Sequence, residues 1–402
     1  MAEIVTATPS DAGQAPSDAG QAASGARRAT RLPGVPERPD VEGIERELRR
    51  LWSSLDTAPA GAGGTAAQVT RICTLTLIAV VRNGRPDEAA AMAERLGARY
   101  PCRSIVLDVS PASRDRLDVA TALYCHESEA PARPTVGCEQ ITVAASGRAL
   151  ARVPALVLPL LVTDLPVYIW WPDDLPAPRD PEGDLLRRLV EVADLLIVDS
   201  SAMTRPIAGL AAAAALAAPL SGGLRDLTWG RLTPWRDLVV QSFDPPPMRQ
   251  ALERLDRLRI RTRPGPGQEP VAGLLLGAWI AARLRWEPAG PVRREGGGVR
   301  ALFWRDGGAV EQTVEGGSGP VASFECAAGG TDPWSLSMTG EADGGSTVSI
   351  EVRMGRGRPR TQAAGLAVPD DAALLAAELE LAGVDGVLRE SLSLMLRAAH
   401  AA

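Results

Sequence analysis

The segment from Arg71 to Ser110 restricts the fold more than any other. It reads "ICTLTLIAVVR", then "PDEAAAMAERLGARYP" with Pro86 near the start of a helix, then "CRSIVLDVS". Strand, helix, strand is a βαβ unit, whose right-handed crossover makes the two strands parallel. Parallel strands lie in sheets covered by helices on both faces, so their side chains are apolar in both directions. The pattern continues with β-like runs around Ala120–Cys125 and Cys138–Ala144, an apolar stretch over Leu150–Leu161 and the strand "VYIWW". After these come a helix in "PEGDLLRRLVEVA", a strand in "DLLIVDSS" and a helix in "TRPIAGLAAAAALAA". The expected fold is α/β, with a mixed, largely parallel, doubly wound sheet in the first domain.

Within that sheet "TDLPVYIWWPDDLP" poses a packing problem. Successive side chains of a strand point to opposite faces, so Trp170 and Trp171 cannot share one core. One of the two indoles needs a second covering surface, from this chain, a ligand or another protein. A second tryptophan concentration, "DLTWGRLTPWRDLVVQSFD", carries arginines between its rings. Thr233 and Pro234 provide an N-cap and a first-turn proline for a helix that puts Trp235, Leu238, Val239 and Ser242 on one face.

The flanks differ in composition. Residues 1–39 repeat "SDAGQA" and are too poor in apolar groups to order themselves, so a disordered tail is expected. Residues 40–66 read as an amphipathic helix capped by Asp40, with Ile44, Leu48, Leu51, Trp52 and Leu55 in one stripe, followed by an Ala/Gly linker. The α/β domain is assigned to 67–262 and closes with a helix in "PPPMRQALERLDRLRI". Residues 263–402 open with the helix "VAGLLLGAWIAARLRW". They continue with β-like runs "VRALFWR", "VASFECAA", "WSLSMTG" and "TVSIEVRM" at hairpin spacing, and end in two helices. That is a smaller α+β domain with an antiparallel sheet and closing helices.

Composition removes several function classes. All 43 basic residues are arginine, so Schiff-base chemistry and a P-loop lysine are absent. A net charge of −6 argues against nucleic acid as a partner; the run Met354 to Arg360 reads as a solvated turn rather than a phosphate patch. No apolar run is long and uninterrupted enough to span a membrane. Five cysteines without a C-x-x-C or a signal peptide read as reduced thiols in a cytoplasmic protein. Cys102, Cys125, His126 and Cys138 are zinc-ligating types, but structural zinc sites bring their ligands in close-spaced pairs, and no metal or cofactor is expected.

The catalytic inventory is short. No G-x-G-x-x-G follows a strand, no G-x-S-x-G elbow or H-E-x-x-H helix is present, and His126 reads as an ordinary strand-end residue. Asp108 and Asp199 close β-like runs at the sheet edge where α/β ligand sites gather, and also where Asp caps the next turn. The Trp/Arg segments carry the residue types that dominate protein interfaces.

In the order "RICTLTLIAVV", "PCRSIVLDV", "CEQITV", "PLLVTDLPVYIWWPDD", "ADLLIVDSS", "DLTWGRLTPWRDLVVQSFD", the chain resembles the OpcA family, glucose-6-phosphate dehydrogenase assembly proteins of cyanobacteria and actinobacteria. The resemblance spans about residues 45–290 and weakens toward the end. It implies a non-enzymatic assembly factor and allosteric activator that binds glucose-6-phosphate dehydrogenase, stabilises its active oligomer and controls entry to the oxidative pentose phosphate pathway. Asp164, Pro166, Trp170, Trp171, Trp229, Arg231, Trp235 and Arg236 carry over as motif residues that shape or line the partner-binding face. The thioredoxin-responsive cysteines associated with the C-terminal region of cyanobacterial relatives have no counterpart after Cys326. The competing reading is a sugar-phosphate- or nucleotide-binding sensor or enzyme that uses the carboxyl edge of the α/β sheet.

Overall fold

The computed structural model describes residues 29–56, 69–82, 86–97, 99–110, 114–126, 135–290, 292–295, 298–305, 308–341 and 345–400. The rest of the expected tail and interhelical linker, 1–28 and 57–68, lies outside them.

The first sheet is built from β1 (Ala29–Gly34), β2 (Val69–Arg71), β3 (Leu75–Arg82), β4 (Cys102–Ser110), β5 (Arg116–His126), β6 (Thr135–Ser146), β7 (Val167–Trp171), β8 (Leu195–Val198) and β9 (Gly223–Asp226). Its helices are α1 (Val41–Asp56), α2 (Pro86–Gly97), α3 (Val153–Val157), α4 (Pro181–Val190) and α5 (Pro206–Ala217). Strand order is β1-β5-β6-β4-β3-β7-β8-β9, with β2 on β6. The six strands from β6 to β9 are mutually parallel, and β5 and β1 add antiparallel at one edge. From β3 the chain winds outward first through β4 and β6, then returns to β7, β8 and β9. This doubly wound order has its switch point between β3 and β7.

Residues 29–34, within the stretch read as a tail, form β1 against the Thr121–His126 half of β5. The amphipathic helix α1 docks on its own chain. Asp40 Oδ1 accepts from Gly43 N at 2.8 Å, and Ile44, Leu48 and Leu51 enter the main core. A buried polar cluster fixes it laterally: Trp52 Nε1 donates to Glu139 Oε1 at 2.7 Å, and Arg103 bridges Glu139 and Glu45.

Between the sheets run α6 (Leu227–Arg231), α7 (Thr233–Phe243) and α8 (Pro246–Leu252). The second sheet then contains β10 (Arg257–Thr262), β11 (Glu287–Pro288), β12 (Arg293–Glu295), β13 (Gly298–Arg305), β14 (Gly308–Glu315), β15 (Val321–Ala328), β16 (Trp334–Gly340), β17 (Thr347–Met354) and β18 (Arg360–Gly365). Its order is β11-β13-β14-β10-β15-β16-β17-β18, with β12 on β13. All pairings are antiparallel except β10 with β14. Helix α9 (Val271–Arg283) packs on one face, and α10 (Asp371–Glu380) and α11 (Gly386–His400) close the described chain.

One element differs in kind from its sequence reading. Arg257–Thr262, expected to continue a helix, is the central strand β10. Leu252, Leu255 and Leu258 fit a helical stripe, but Leu258, Ile260 and Thr262 also alternate with Arg257, Arg259 and Arg261. Partners on both sides settle it as a strand, with the first set buried and the arginines exposed. The arginine run expected as a turn, Arg356 to Arg360, is the exposed connection into the edge strand β18.

Candidate functional site

Trp170 and Trp171 point to opposite faces of β7, as the pleat requires, and both are covered: Trp170 is 7% exposed and Trp171 0%. Trp171 belongs to the main core with Ile169's neighbours on α3 and α4, and its Nε1 donates to Asp174 O at 3.2 Å. Trp170 lies in a second cluster with Ala89 and Leu96 of α2 and with Leu374, Leu375 and Leu379 of α10. The second covering surface is therefore supplied by the chain's own helices α2 and α10. Asp164 and Pro166 form the turn that delivers β7. Asp164 is exposed in the left-handed region at φ 65°, which Asp tolerates better than most side chains, and Pro166 O accepts from Thr76 N at 2.9 Å.

Of the remaining motif residues, Trp229, Arg231 and Arg236 gather beyond the carboxyl ends of β8 and β9, whereas Trp235 lies in the main core on α7. Asp199, just past β8, accepts from Arg231 Nη1 and Nη2 at 2.8 and 2.7 Å, and Arg231 Nη2 also reaches Asp371 Oδ1 at 2.7 Å. Burial by itself raises the Asp199 carboxyl, but the double contact with Arg231 outweighs it and holds the pKa below its ordinary value. Asp226, ending β9, accepts from Ser200 N, Ser200 Oγ and Thr228 N at 2.9, 2.7 and 3.1 Å. Full burial, with the neighbouring Asp199 charge second, pushes Asp226 up to about 6. Trp229 is buried, donates from Nε1 to Asp385 Oδ2 at 3.0 Å, and lies beneath Arg236, whose guanidinium carbon is 3.7 Å from the ring centroid. Burial lowers Arg236 to about 10, which leaves it cationic at neutral pH. Trp235 is buried on the inner face of α7 with Leu238 and Val239.

Two members of this junction carry no sequence signal. Arg225 of β9 is fully buried and donates to the carbonyls of Gly222, Leu224, Leu381 and Gly383. Its Nε lies 3.3 Å from Glu378 Oε2, a charge contact without hydrogen-bond alignment. Glu378 of α10 is itself buried, and desolvation raises it to about 7 against the pull of Arg225. Nothing local in "LAAELE" marks it, because its partner is on a distant strand.

A pH dependence follows from the two raised carboxyls. Their folded pKa values, about 6 for Asp226 and about 7 for Glu378, exceed the unfolded values near 4, so the folded state holds more protons in between. Their contribution to stability is complete below about pH 4 and is lost as pH rises through 6 and 7. For Glu378 the loss is on the order of 3 kcal/mol. Denaturant midpoints of wild type and Glu378→Gln should diverge as pH rises from 5 to 8, with the variant the flatter; parallel curves would show that Glu378 ionises normally.

Among the described residues, the start of α2 beside the switch point offers little to a dinucleotide. Pyrophosphates bind free N–H groups at a helix start. Helix α2 opens with Pro86, which lacks an N–H, and then Asp87 and Glu88. Arg82, ending β3, is paired with the buried Glu182 at 2.8 Å. Asp108 lies two residues inside β4 rather than at its end. Cys102, Cys125, Cys138 and Cys326 are buried free thiols, Cys73 is a half-buried one, and no metal-binding group of His, Cys, Asp or Glu occurs among the described residues. No described helix is long and apolar enough to cross a membrane.

Sequence reasoning passed over Trp304. It is 58% exposed, and the neighbouring outward position, Leu302, is exposed as well. The signal was present in "VRALFWR": Val299, Ala301 and Phe303 face the core, so Arg300, Leu302 and Trp304 face out. They lie on the side of the second sheet that is turned away from the buried layer, with Arg257, Arg259 and Glu311 of the neighbouring strands.

Two family models match this chain, the glucose-6-phosphate dehydrogenase subunit N-terminal domain over residues 93–215 and the corresponding C-terminal domain over 222–392. Among curated proteins, the OxPP cycle protein OpcA of Synechocystis is 33% identical over 204 residues, 50% of this chain and 41% of that one. The protein of the same name from Nostoc punctiforme is 30% identical over 221 residues, 54% and 44% of the two chains. The chain thus matches less than half the length of these relatives. Solved structures are more distant. An NAD binding oxidoreductase from Klebsiella pneumoniae aligns at 12% identity and TM-score 0.44, covering 82% of this chain and 96% of that one. A transcriptional regulator from Kluyveromyces lactis aligns at 8% and 0.44, covering 83% and 90%. Likenesses that slight do not bear on activity. With both family domains matched in order, the chain belongs to the OpcA glucose-6-phosphate dehydrogenase assembly family.

Proposed function

We propose that this protein is a non-catalytic cytoplasmic subunit that binds glucose-6-phosphate dehydrogenase, favours its active oligomer and raises its response to substrate at the entry to the oxidative pentose phosphate pathway. The observation that carries this reading, beside the family, is the occupied carboxyl edge of the first sheet. Where α/β enzymes place substrate, Asp199, Arg231 and Asp371 bind one another and Asp226 caps Ser200, with Asp371 supplied by the first turn of α10, which packs on the adjoining face of the sheet. A sugar phosphate would need an arginine available there, and Arg231 is held between two carboxylates.

In this reading Asp164, Pro166, Trp170, Trp171, Trp229, Arg231, Trp235 and Arg236 shape the partner-binding face from behind. They fix β7, α6 and α7 and lock α10 and α11 in place. The partner is met by the outward side of the second sheet, where Trp304 and Leu302 give apolar anchorage and Arg257, Arg259 and Glu311 give orientation. An assembly factor shifts its partner's equilibrium only by its difference in affinity for the two states. A difference of about 3 kcal/mol moves the population ratio more than a hundredfold.

The test is a titration of the purified chain into glucose-6-phosphate dehydrogenase from the same organism, with complex mass and substrate-saturation curves recorded together. A heavier stable complex with a lower half-saturating substrate concentration is expected. An unchanged mass and unchanged kinetics would refute the reading.

A further inference from the structure

A cavity of about 470 Å³ lies between α5, α9, α11 and the inner face of β13 and β14. Its walls are mainly apolar, with Ile207, Leu274, Ala301, Phe303 and Met395 among them. Two polar features depart from that lining. At the rim Glu269 accepts from Ile207 N at 3.0 Å and from Arg294 Nη2 at 2.6 Å. Deeper in, the Gln312 side chain of β14 is 4% exposed and its Oε1 has no partner.

Gln312 occupies an inward strand position between Val310 and Val314. A residue needed only to fill that position would be aliphatic, because a buried carbonyl oxygen without a donor is destabilising. The facing helix also accommodates the amide: a Cβ on Gly277 of α9 would lie 2.1 Å from Gln312 Nε2. Only glycine at 277 leaves the amide in place. A roomy apolar cavity with a single buried hydrogen-bonding group is the usual build of a small-ligand site, and the volume falls in the range such sites occupy.

We propose that this cavity binds an uncharged, mainly apolar small molecule, ring-bearing or branched, with one hydroxyl that hydrogen-bonds the Gln312 carboxamide. A charged ligand is disfavoured because the two charges of the lining, Arg294 and Glu269, are paired with each other. The walls come from α5 of the first unit, the second sheet and the C-terminal helix, so an occupant ties all three together. Binding to the folded state alone raises its stability by mass action. The inference does not depend on the dehydrogenase partner.

The probes are 2-naphthol, a bicyclic ring with one hydroxyl, and naphthalene, the same ring without it, in equilibrium dialysis and thermal unfolding of the full chain. Saturable binding of one 2-naphthol per chain is expected, at least tenfold tighter than naphthalene, with a raised melting temperature. Gln312→Leu should remove the preference for the hydroxyl, and Ala301→Phe, which fills the cavity, should abolish binding of both. If Ala301→Phe does not fold by circular dichroism, Ala211→Phe fills the same space from α5. Absence of saturable binding to the wild type overturns the proposal, as does binding that survives a folded cavity-filling variant or a hydroxyl preference that survives Gln312→Leu.

Discussion

Arg225→Met should lower the unfolding free energy by about 3 to 5 kcal/mol, measured by chemical denaturation near pH 7. The side chain is fully buried in β9, and it joins the edge of the first sheet to the α10–α11 connection through the carbonyls of Leu381 and Gly383. Methionine retains the length and the packing but removes the donors and the charge. Glu378 is then left buried without its cation and takes a proton, and the carbonyls of Gly222, Leu381 and Gly383 lose their buried donor. Adding Glu378→Leu should recover part of the loss, because the two side chains share one interaction and their effects are not additive. A single variant within about 1 kcal/mol of wild type would mean that apolar packing of Leu374, Leu375 and Leu379 alone retains α10.

The second large contrast is between two tryptophans. Trp235→Ala removes a buried indole from the core and should cost about 3 to 5 kcal/mol of stability. Trp304→Ala removes an exposed one and should change stability by less than about 0.5 kcal/mol. Binding to glucose-6-phosphate dehydrogenase should respond in the opposite way. Under conditions where both variants are folded, Trp304→Ala should weaken the complex by about 2 kcal/mol or more, the effect of a central anchor. A Trp304 variant that binds and activates like wild type would remove the outward face of the second sheet as the docking surface and leave the assembly role to be sought elsewhere on the molecule.

These contrasts also separate what the sequence determined from what it could not. Most strands and helices of the first sheet were legible because their information is local, whereas β1, in the stretch expected as a tail, and β9 were not. A run such as "LTLIAVV" is apolar in both directions, and Pro86, Asp40 and Asp370 mark helix starts through their own backbone geometry. Pleat alternation likewise required Trp170 and Trp171 to part. Composition removed lysine chemistry before any fold was considered.

What covers Trp170 was not local. Leu374, Leu375 and Leu379 are far away in the chain, and only the return of α10 to the first sheet brings them under that indole. The same return makes Arg225 and Glu378 partners, although each alone reads as an ordinary surface charge. The character of Arg257–Thr262 was ambiguous for a related reason: a six-residue run satisfies helical and strand periods together, and β14 and β15 decide between them by supplying hydrogen bonds on both sides. Sequence alone therefore determined which residues are apolar and how neighbours along the chain turn. Tertiary structure decided which of those surfaces meet, because burial is a property of pairs of distant segments and no single segment carries it.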